Sequence, residues 1–383
     1  ATSATAAQLN TINAATALQV DLTNVTALAA SSLDDLNTLA TAINASPSQF
    51  KNFTGLTTIA VSDTTVDATT LASRIDTYDT INGSGTTNMT LASGAMIHVD
   101  ANEITHMLDD ETAGRLTISD QAITVNSAGT ISVDTANLLG DTTSGVVTAT
   151  ITATETATEL ATLNADGGTN NLTIVITAAD ATACTAAQLN TINAATALQV
   201  DLTNVTELAA SSLSDLETLA SAIQASPSQF KNFTGLTTIA VSDNPVDATT
   251  LATVIDSYDS INGGSTTDMT LVSGAQINVD AGEITHMLAD ETAGRLTISD
   301  QVIVVSGATT VDNVNLLGAT TSGKLTATIA QTETAAELAT LDADGGTNDL
   351  TIVLGSGNAT SATAAQLNTI NAATALQVDL TNV

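Results

Sequence analysis

The chain contains 383 residues, of which 43% are hydrophobic and 2% aromatic, and its 40 acidic against 6 basic residues give a formal charge of -34 at pH 7. Contact with a phosphate backbone requires clustered lysine and arginine, so this charge excludes nucleic acid and disfavours anionic membrane surfaces as partners. The single cysteine, Cys184, excludes a disulfide framework, and the lack of an apolar run of about 18 residues predicts no membrane insertion.

A long internal repeat organises the sequence. The stretch 1–25 returns unchanged as 359–383, and most of it recurs as 185–205. The ranges 5–184 and 185–362 are therefore two copies of one unit and are nearly equal in length, and 363–383 begins a third copy. Repetition on this scale is typical of arrays of stacked units. We expect the chain to be part of a longer tandem protein.

The first two predicted helices each accompany a short strand. A helix is predicted over residues 6–15, and an alternating strand follows at residues 18–22. Aliphatic residues then recur on one helical face over residues 33–43. Ser32 with Asp35 resembles a capping box that has Asp in place of Glu. A Ser-Pro step ends this helix, because the residue before a proline is pushed out of the helical region.

Four further phrases complete the first copy. They are a strand at 56–61 with a helix from about residue 68, a strand at 96–100 with a helix at 103–108, three short strands between 116 and 133 with a helical segment at 136–139, and a strand at 146–152 with a helix after residue 156. Asp100 and Glu103 are placed to cap the helix at 103–108, and Thr156 and Glu159 form a capping box.

The spacing of these phrases predicts the fold class. One aliphatic residue per predicted helix recurs at short and similar intervals, at Leu9, Leu36, Leu71, Ile104, Leu138, Leu160 and Leu189. A coil of that length is too short to bury its own apolar face and must stack on its neighbours. We therefore predict an α/β repeat, a solenoid of short parallel strands and short helices that curves or becomes superhelical. The alternative is a series of tandem β-sandwich domains.

All the phenylalanine of the chain lies in two equivalent loops, each with one lysine between the aromatic residues. The residues are Phe50, Lys51, Phe53, Phe230, Lys231 and Phe233. Exposed aromatic residues beside a lone cation would make a lateral contact repeated once per unit. A loop that folds back to cover the end of the preceding helix explains the same pattern. Both interpretations stay open.

One loop of each copy is rich in Asp, Asn and Gly and suggests calcium. Calcium prefers several oxygen ligands around a sharp turn that glycine permits. The candidate ligands are Asp342, Asp344, Asn348 and Asp349 in the second copy, and Asn164 and Asp166 in the first. An ordinary loop between helix and strand, with Gly at the helix end, has the same composition. Calcium is the only cofactor that the sequence suggests.

No catalytic constellation emerges, and we predict that the chain is not an enzyme. Glu103 with His106 recurs as Glu283 with His286, but two ligands on one helix turn need further converging carboxylates to hold a metal. His98 is replaced by Asn278 in the second copy. The two pairs are therefore interpreted as solvent-facing residues on a helix.

The phrase of a strand, an Asp and a small-residue segment that ends in Leu, as in residues 97–108 and 131–139, recurs through the chain. It resembles the repeats of very large tandem-repeat surface and secreted proteins of bacteria. The resemblance implies an extracellular or cell-surface setting rich in calcium, and a role as adhesin, surface coat or fibre. It provides no catalytic residues.

The sequence thus predicts a structural protein. Near-identical copies favour a stalk, fibre or surface-coat filament that self-associates, because successive stacking faces are interchangeable. The resemblance implies that this filament is extracellular. The alternative is the spacer of a giant calcium-dependent adhesin whose binding domain lies outside these residues. Sequons such as Asn24-Val-Thr and Asn52-Phe-Thr allow surface glycans.

Overall fold

The computed structural model describes residues 3–53, 55–83, 86–164, 169–233, 235–264, 266–342, 347–358 and 361–382. The chain divides into two compact units. The first contains residues 1–155, 159–175 and 192–200, and the second contains residues 156–158, 176–191 and 201–383. Residues between 156 and 200 are thus shared between the two units.

Short strands and helices alternate in the first unit. Its strands are β1 Ser3–Ala4, β2 Val20–Asp21, β3 Ala27–Ser31, β4 Phe50–Lys51, β5 Thr58–Val61, β6 Thr65–Asp67, β7 Asn88–Thr90, β8 Met96–Val99, β9 Leu116–Thr117, β10 Ala122–Val125, β11 Val147–Thr150 and β12 Asn171–Thr173. Its helices are α1 Ala6–Ala14, α2 Leu33–Asn44, α3 Ala68–Ile81, α4 Ile104–Thr112, α5 Val133–Thr142 and α6 Ala157–Leu160, whose first two residues belong to the second unit.

The same alternation continues in the second copy. Helix α7 Ala186–Ala194 and strand β13 Val200–Asp201 contain residues of both units. The remaining strands are β14 Glu207–Ser211, β15 Phe230–Lys231, β16 Thr238–Val241, β17 Val246–Asp247, β18 Asp268–Leu271, β19 Gln276–Asp280, β20 Leu296–Thr297, β21 Val302–Thr309, β22 Leu325–Ile329 and β23 Asp349–Thr351. The remaining helices are α8 Leu213–Gln224, α9 Ala248–Ile261, α10 Ile284–Thr292, α11 Val311–Thr320, α12 Ala335–Leu338 and α13 Ala364–Ala372.

Each unit contains two main sheets, and the described strands within them pair in parallel. In the first unit the orders are β1-β3-β5-β7-β9 and β6-β8-β10-β11-β12, with a small β2-β4 pair. In the second unit they are β14-β16-β18-β20 and β17-β19-β21-β22-β23. Parallel neighbours need a crossover, which the helices provide.

Within each main sheet, neighbouring strands are separated in the sequence by one coil. A coil here means the segment from one strand to the next strand of the same sheet. Thr58 pairs with Asn88, and the matching Thr238 pairs with Asp268, so the two copies use the same spacing here. The rows of buried residues follow this register. One row of the first unit consists of Leu28, Ile59, Met89 and Leu116, each at most 2% exposed. Burying such a side chain stabilises the fold by roughly 1.5–3 kcal/mol.

The small difference in length between the copies lies between β10 and α5. In the first copy Ile123 pairs with Val147, whereas in the second Ile303 pairs with Leu325, which is a shorter step along the sequence. The first copy leaves the strand through a turn in which the Gly129 amide donates to the Asn126 carbonyl over 3.0 Å. The second copy instead continues as the longer strand β21, with a register shift beside Gly307.

Capping residues place several helices where the sequence predicts them. Ser32 accepts a hydrogen bond from the Asp35 amide and begins α2, and Asp67 accepts one from the Thr70 amide and begins α3. The predicted cap of α4 is wrong, because Glu103, which directly precedes this helix, makes no side-chain capping bond. The Glu103 amide instead donates to the Asp100 carbonyl and closes the turn before the helix.

The predicted α/β class, with parallel strands that alternate with short helices, is confirmed. The alternative of tandem β-sandwiches is wrong, because sandwiches consist of antiparallel sheets. Helix α5 is longer than the predicted segment at 136–139, since Ser132 caps it earlier by accepting from the Thr135 amide. Several strands are shorter than their alternating runs, for example β2 within residues 18–22.

Candidate functional site

The sequence that occurs three times forms a surface that couples neighbouring coils. We call residues 5–25, 185–205 and 363–382 the repeated coil. Each copy begins with the same reciprocal cap, in which Thr accepts from the amide of the first Gln of the helix and that Gln side chain accepts from the Thr amide. This cap fixes the start of helices α1, α7 and α13 and so fixes which residues face each neighbour.

One side of the repeated coil binds the coil that follows it. The Ala6 amide donates to Ser31 Oγ over 2.8 Å, and Asn10 Nδ2 donates to the Asp35 carbonyl over 3.0 Å. The second unit repeats both bonds with the corresponding residues, Ala186 to Ser211 and Asn190 to Asp215. We call this side, which also carries Leu9 and Leu22, the downstream face.

The opposite side binds the coil that precedes it, and we call it the upstream face. In the second unit the Leu350 amide donates to Thr374 Oγ1 over 3.0 Å, and that hydroxyl donates to the Leu350 carbonyl over 2.8 Å. The Ala375 amide donates to the Asn348 carbonyl over 2.8 Å, and Asn382 Nδ2 donates to the Leu354 carbonyl over 2.9 Å. These bonds satisfy backbone groups of β23 and of the residues on either side of it.

The first unit contains the same contacts around another copy of the repeated coil. The Leu172 amide donates to Thr196 Oγ1 over 3.0 Å, Thr196 Oγ1 donates to the Leu172 carbonyl over 2.8 Å, and the Ala197 amide donates to the Asn170 carbonyl over 2.7 Å. Two copies of one sequence thus bind equivalent preceding coils with equivalent bonds.

Identical residues differ in exposure according to which neighbour is present. Ile12 on the upstream face is 51% exposed, whereas Ile192 and Ile370 are fully buried. Leu22 on the downstream face is 2% exposed, whereas Leu380 is 44% exposed. Because the sequence is the same, these differences come from the neighbouring coil alone. The upstream and downstream faces are therefore separate apolar surfaces with separate partners.

Buried polar side chains join successive coils at the corner that precedes the second sheet. Thr143 Oγ1 donates to the Gln121 carbonyl over 2.6 Å, and Gln121 Nε2 donates to the Ala92 carbonyl over 3.1 Å. One coil further on, Asn170 Oδ1 accepts from the Val147 amide over 2.9 Å. The second unit preserves this with Thr321, Gln301 and Asn348. These bonds satisfy backbone groups that the strands leave unpaired.

A charged cluster joins α3, α4 and the residue that precedes β9 in the first unit. The Arg115 guanidinium forms an ion pair with Asp110 and lies 3.5 Å from Asp76 and 3.6 Å from Asp79. The Asp110 side chain is 1% exposed, and this burial raises its pKa, an effect that the Arg115 charge opposes. The second unit repeats the cluster with Arg295, Asp290, Asp256 and Asp259.

The histidines of the two Glu-x-x-His pairs lie beside these clusters. His106 Nδ1 is 3.9 Å from Glu103 Oε2, and His106 Nε2 is 4.0 Å from Asp110 Oδ2. Both distances exceed a hydrogen bond. Within the part of the chain that the structure describes, no group of three or more His, Cys, Asp or Glu side chains is arranged to hold a metal ion. His106 thus lies beside carboxylates of its own helix and its cap, and the ion pairs that join α3 and α4 are those of Arg115.

The phenylalanine loops are mainly packing elements, which corrects the lateral-contact interpretation. Phe50 and Phe230 are each 3% exposed, and Phe53 and Phe233 are each 7% exposed. The Phe53 ring lies 6.5 Å from that of Tyr78, so the loop covers the helices. The aromatic rings are therefore buried rather than available for contact between molecules, whereas Lys51 and Lys231 are exposed.

Each exposed lysine of these loops pairs with an aspartate of the repeated coil. Lys51 Nζ is 3.4 Å from Asp21, and Lys231 Nζ is 3.5 Å from Asp201. Desolvation raises the pKa of Asp201, but hydrogen bonds from Thr203 and Asn232 outweigh it and lower the pKa to about 2. In the first copy the corresponding hydrogen bonds, of which that from the Thr23 side chain has the largest effect, hold the pKa of Asp21 well below its ordinary value.

The residues of the calcium prediction have several different surroundings. Asp166 and Asp344 lie outside the described residues. Asn348 is 6% exposed, and its side-chain oxygen accepts from the Leu325 amide, while Asp349 forms an ion pair with Lys324. The Asp342 amide donates to Asn315 Oδ1 over 2.9 Å, and in the first copy the Asn164 amide donates to Asn137 Oδ1 over 2.8 Å. The described members thus take part in coil-to-coil bonds.

Comparisons with known proteins give no relative: no family model, no curated protein and no solved structure matches this chain. Among the described residues, no helix is long and apolar enough to cross a membrane.

Sequence reasoning missed two features of the site. The carboxylates of Asp110 and Asp290 are buried, although the residues beside them in the sequence are polar. Their spacing of one helical turn from His106 and His286 was the only sequence signal of an inward position. The buried Gln121, Thr143 and Asn170 lie in segments typical of loops. Their recurrence at matching positions of both copies was the available signal.

Proposed function

We propose that this chain is a structural array, an α/β solenoid whose coils stack through the upstream and downstream faces of the repeated coil. The observation that carries the proposal is the recurrence of one set of bonds at two places, around Thr196 and around Thr374. A junction that is chemically the same in each unit allows units to follow one another without limit.

The array is proposed to serve as an extracellular stalk, fibre or surface-coat filament. The charge of -34 keeps such an array soluble and opposes non-specific aggregation through electrostatic repulsion. The contacts of the upstream face are aliphatic or directed to the backbone, so they do not depend on the charged surface. The proposed location is supported by the resemblance to bacterial surface repeats.

The proposal is tested by adding one unit. A variant with an extra copy of residues 185–362 inserted after residue 362 is compared with the chain by small-angle X-ray scattering. Stacked coils predict that the maximum dimension grows by about 30 Å for about six coils at about 4.8 Å each. A compact arrangement predicts instead that the molecule grows in all directions, with a radius of gyration that increases only as roughly the 0.38 power of the chain length. Growth of this compact kind would contradict the proposal.

A further inference from the structure

We propose that a surface cleft in each unit binds a neutral sugar through the hydroxyl groups of that sugar. The cleft of the first unit has a volume of about 610 Å³, and that of the second has a volume of about 600 Å³. Both volumes lie in the range of small-molecule sites. Each cleft lies wholly within one unit, so this inference goes beyond the proposed array and does not depend on it.

Corresponding residues line the two clefts, at the end of a helix and beside the next buried corner. The first cleft is lined by Ser119, Gly140, Asp141 and Asn170 among others. The second has Ser299, Gly318 and Asn348 at the matching places, and Ala319 in place of Asp141. The two clefts therefore share one lining apart from a single carboxylate.

The first argument is a buried hydrogen-bond donor at each cleft. Asn170 is 6% exposed, and its Oδ1 accepts from the Val147 amide over 2.9 Å, which fixes the orientation of the side-chain amide. Its Nδ2 group makes no hydrogen bond to the residues that the structure describes. Asn348, also 6% exposed, repeats this arrangement with the Leu325 amide over 3.0 Å. Since a buried donor needs a partner, each cleft presents an N–H group to an oxygen of a ligand.

The second argument is a backbone acceptor at the end of α5. In a longer helix the Ser144 amide would donate to the Gly140 carbonyl. It donates instead to the Ser119 carbonyl over 2.8 Å, and the Ser322 amide likewise donates to the Ser299 carbonyl over 2.7 Å. Gly140 lines the cleft with backbone atoms alone, and its carbonyl is left as an acceptor. The helix dipole adds partial negative charge at this end.

Asp141 adds a second acceptor to the first cleft. Its Oδ1 accepts from Asn164 Nδ2 over 3.0 Å, and this bond positions the exposed carboxylate beside the cleft. The second cleft has the methyl group of Ala319 at the same place. A ligand that donates to this carboxylate therefore binds the first cleft more tightly than the second.

The donor and the acceptors together select the chemistry of the ligand. A cation would meet the Asn170 N–H group, and an anion would meet the Gly140 carbonyl and the Asp141 carboxylate in a chain with a charge of -34. A hydroxyl group both donates and accepts, so neighbouring hydroxyl groups of a neutral sugar match both kinds of group. None of the described lining residues is aromatic. Hydrogen bonds without ring stacking predict a dissociation constant of about 1 mM or weaker.

The test is a nuclear magnetic resonance titration of the full chain with D-glucose, D-galactose and D-mannose. The backbone amides of Gly145 and Gly323, which line the first and second clefts, serve as separate reporters. We expect at least one of these sugars to give saturable shifts at both reporters. Its affinity should be about tenfold higher at the first cleft, because a hydrogen bond to a charged acceptor is stronger than one to water alone.

Exchange of the differing residues between the clefts provides matched variants. Asp141→Ala gives the first cleft the lining of the second, and its affinity is expected to fall about tenfold. Ala319→Asp/Asp342→Asn gives the second cleft the carboxylate together with the amide that positions it in the first, and its affinity is expected to rise by a similar factor. Because each residue already occurs at the matching position of the other unit, both variants are expected to fold. Affinities that do not follow the exchange would contradict the site.

Asn170→Asp tests the buried donor. The new side chain still offers an oxygen to the Val147 amide, but it presents an acceptor to the cleft in place of Nδ2. We expect the shifts at Gly145 to disappear and those at Gly323 to remain, while slow hydrogen exchange of the Val147 amide shows that the corner is intact. Unchanged sugar affinity at Gly145 would overturn the inference.

Two further probes test the charge of the ligand. Calcium chloride and D-glucuronate are expected to give no saturable shifts at Gly145 in the range where the neutral sugar binds. Shifts with calcium chloride and none with the three sugars would overturn the inference in favour of a cation site. Binding of D-glucuronate as tight as that of D-glucose would contradict the assignment of a neutral ligand.

Discussion

Arg115 and Asp110 show how an acidic chain places its few cationic side chains. Only six lysines and arginines are available, and two of them, Arg115 and Arg295, pair with a carboxylate that is 1% exposed. A buried ion pair contributes little net stability, but removal of one partner leaves an uncompensated charge. The arginine is therefore required mainly because the buried aspartate is present.

The Arg115→Gln substitution is expected to destabilise the first unit by about 3 kcal/mol, the range typical of a broken buried pair. Urea unfolding measures the change. The Asp110→Asn/Arg115→Gln double variant should recover most of the lost stability, because it removes the unpaired charge. A double variant as unstable as Arg115→Gln would show that the arginine acts through packing instead.

Exposed pairs provide the matched comparison. Lys51 and Asp21 are 49% and 47% exposed. Lys51→Gln is expected to change the free energy of unfolding by less than about 1 kcal/mol. An effect of Lys51→Gln equal to that of Arg115→Gln would contradict the assignment of the energy to burial.

Gly145 allows two coils to approach closely. A Cβ at Gly145 would lie 2.4 Å from the Gln121 carbonyl oxygen, and a Cβ at Gly323 would lie 2.1 Å from that of Gln301. Backbone atoms of a sheet cannot shift easily, so Gly145→Ala is expected to destabilise the unit by about 1–3 kcal/mol. Gly282→Ala is the control, since nothing lies within 4 Å of that Cβ. Equal melting temperatures for the two variants would contradict the close approach.

Asp201 makes stability depend on pH. Its folded pKa of about 2 lies below the ordinary value of 3.8. A lowered carboxyl pKa contributes stability that is present above the unfolded pKa and is lost as pH falls through the folded pKa. Asp201→Asn is therefore expected to melt about 3 °C lower than the parent at pH 7, as about 1 kcal/mol gives for a unit of this size.

The difference between Asp201→Asn and the parent should shrink as pH falls from about 4 to about 2. Melting curves recorded by circular dichroism across this range measure the difference. A constant difference down to pH 2 would show that the carboxylate charge is not the cause.

The corners between coils depend on hydrogen bonds of buried side chains. Asn170→Ala removes the acceptor of the Val147 amide and leaves a buried donor unpaired, which costs about 1–3 kcal/mol. Hydrogen exchange of the Val147 amide should accelerate in this variant, while that of Leu325, whose acceptor is Asn348, stays as in the parent. Unchanged protection at Val147 would contradict the role of Asn170.

How far the sequence predicts the elements depends on how local their causes are. Helices α2 and α3 were predictable because Ser32 and Asp67 cap them within one turn and one helical face is aliphatic. The predicted strands were too long, because the backbone hydrogen bonds between strands depend on a neighbouring strand that belongs to the next coil. Phe50 and Phe53 were ambiguous for the same reason, since Tyr78, which helps to bury Phe53, lies on another coil.

Contacts between successive coils provide most of the stability of the fold, and any single coil provides little. Buried rows such as Val66, Ile97, Ile123 and Val147 run across four strands in register. The α/β class followed from periodicity, whereas the division of each coil between two sheets did not. Two short strands separated by a corner have the same pattern as one bent strand.

The parallel stacking of coils in the first unit is tested most directly by spin-label distances. Cysteine pairs are introduced on a Cys184→Ala background at Ala27 with Thr58, at Ala27 with Asn88, and at Ser3 with Asn88, which lie one, two and three strands apart. Stacked coils predict backbone separations of about 5, 10 and 14 Å, at about 4.8 Å per strand, and hence dipolar broadening that weakens in that order. Broadening that does not decrease in this order, or that is absent for the first pair, would contradict the stacked arrangement.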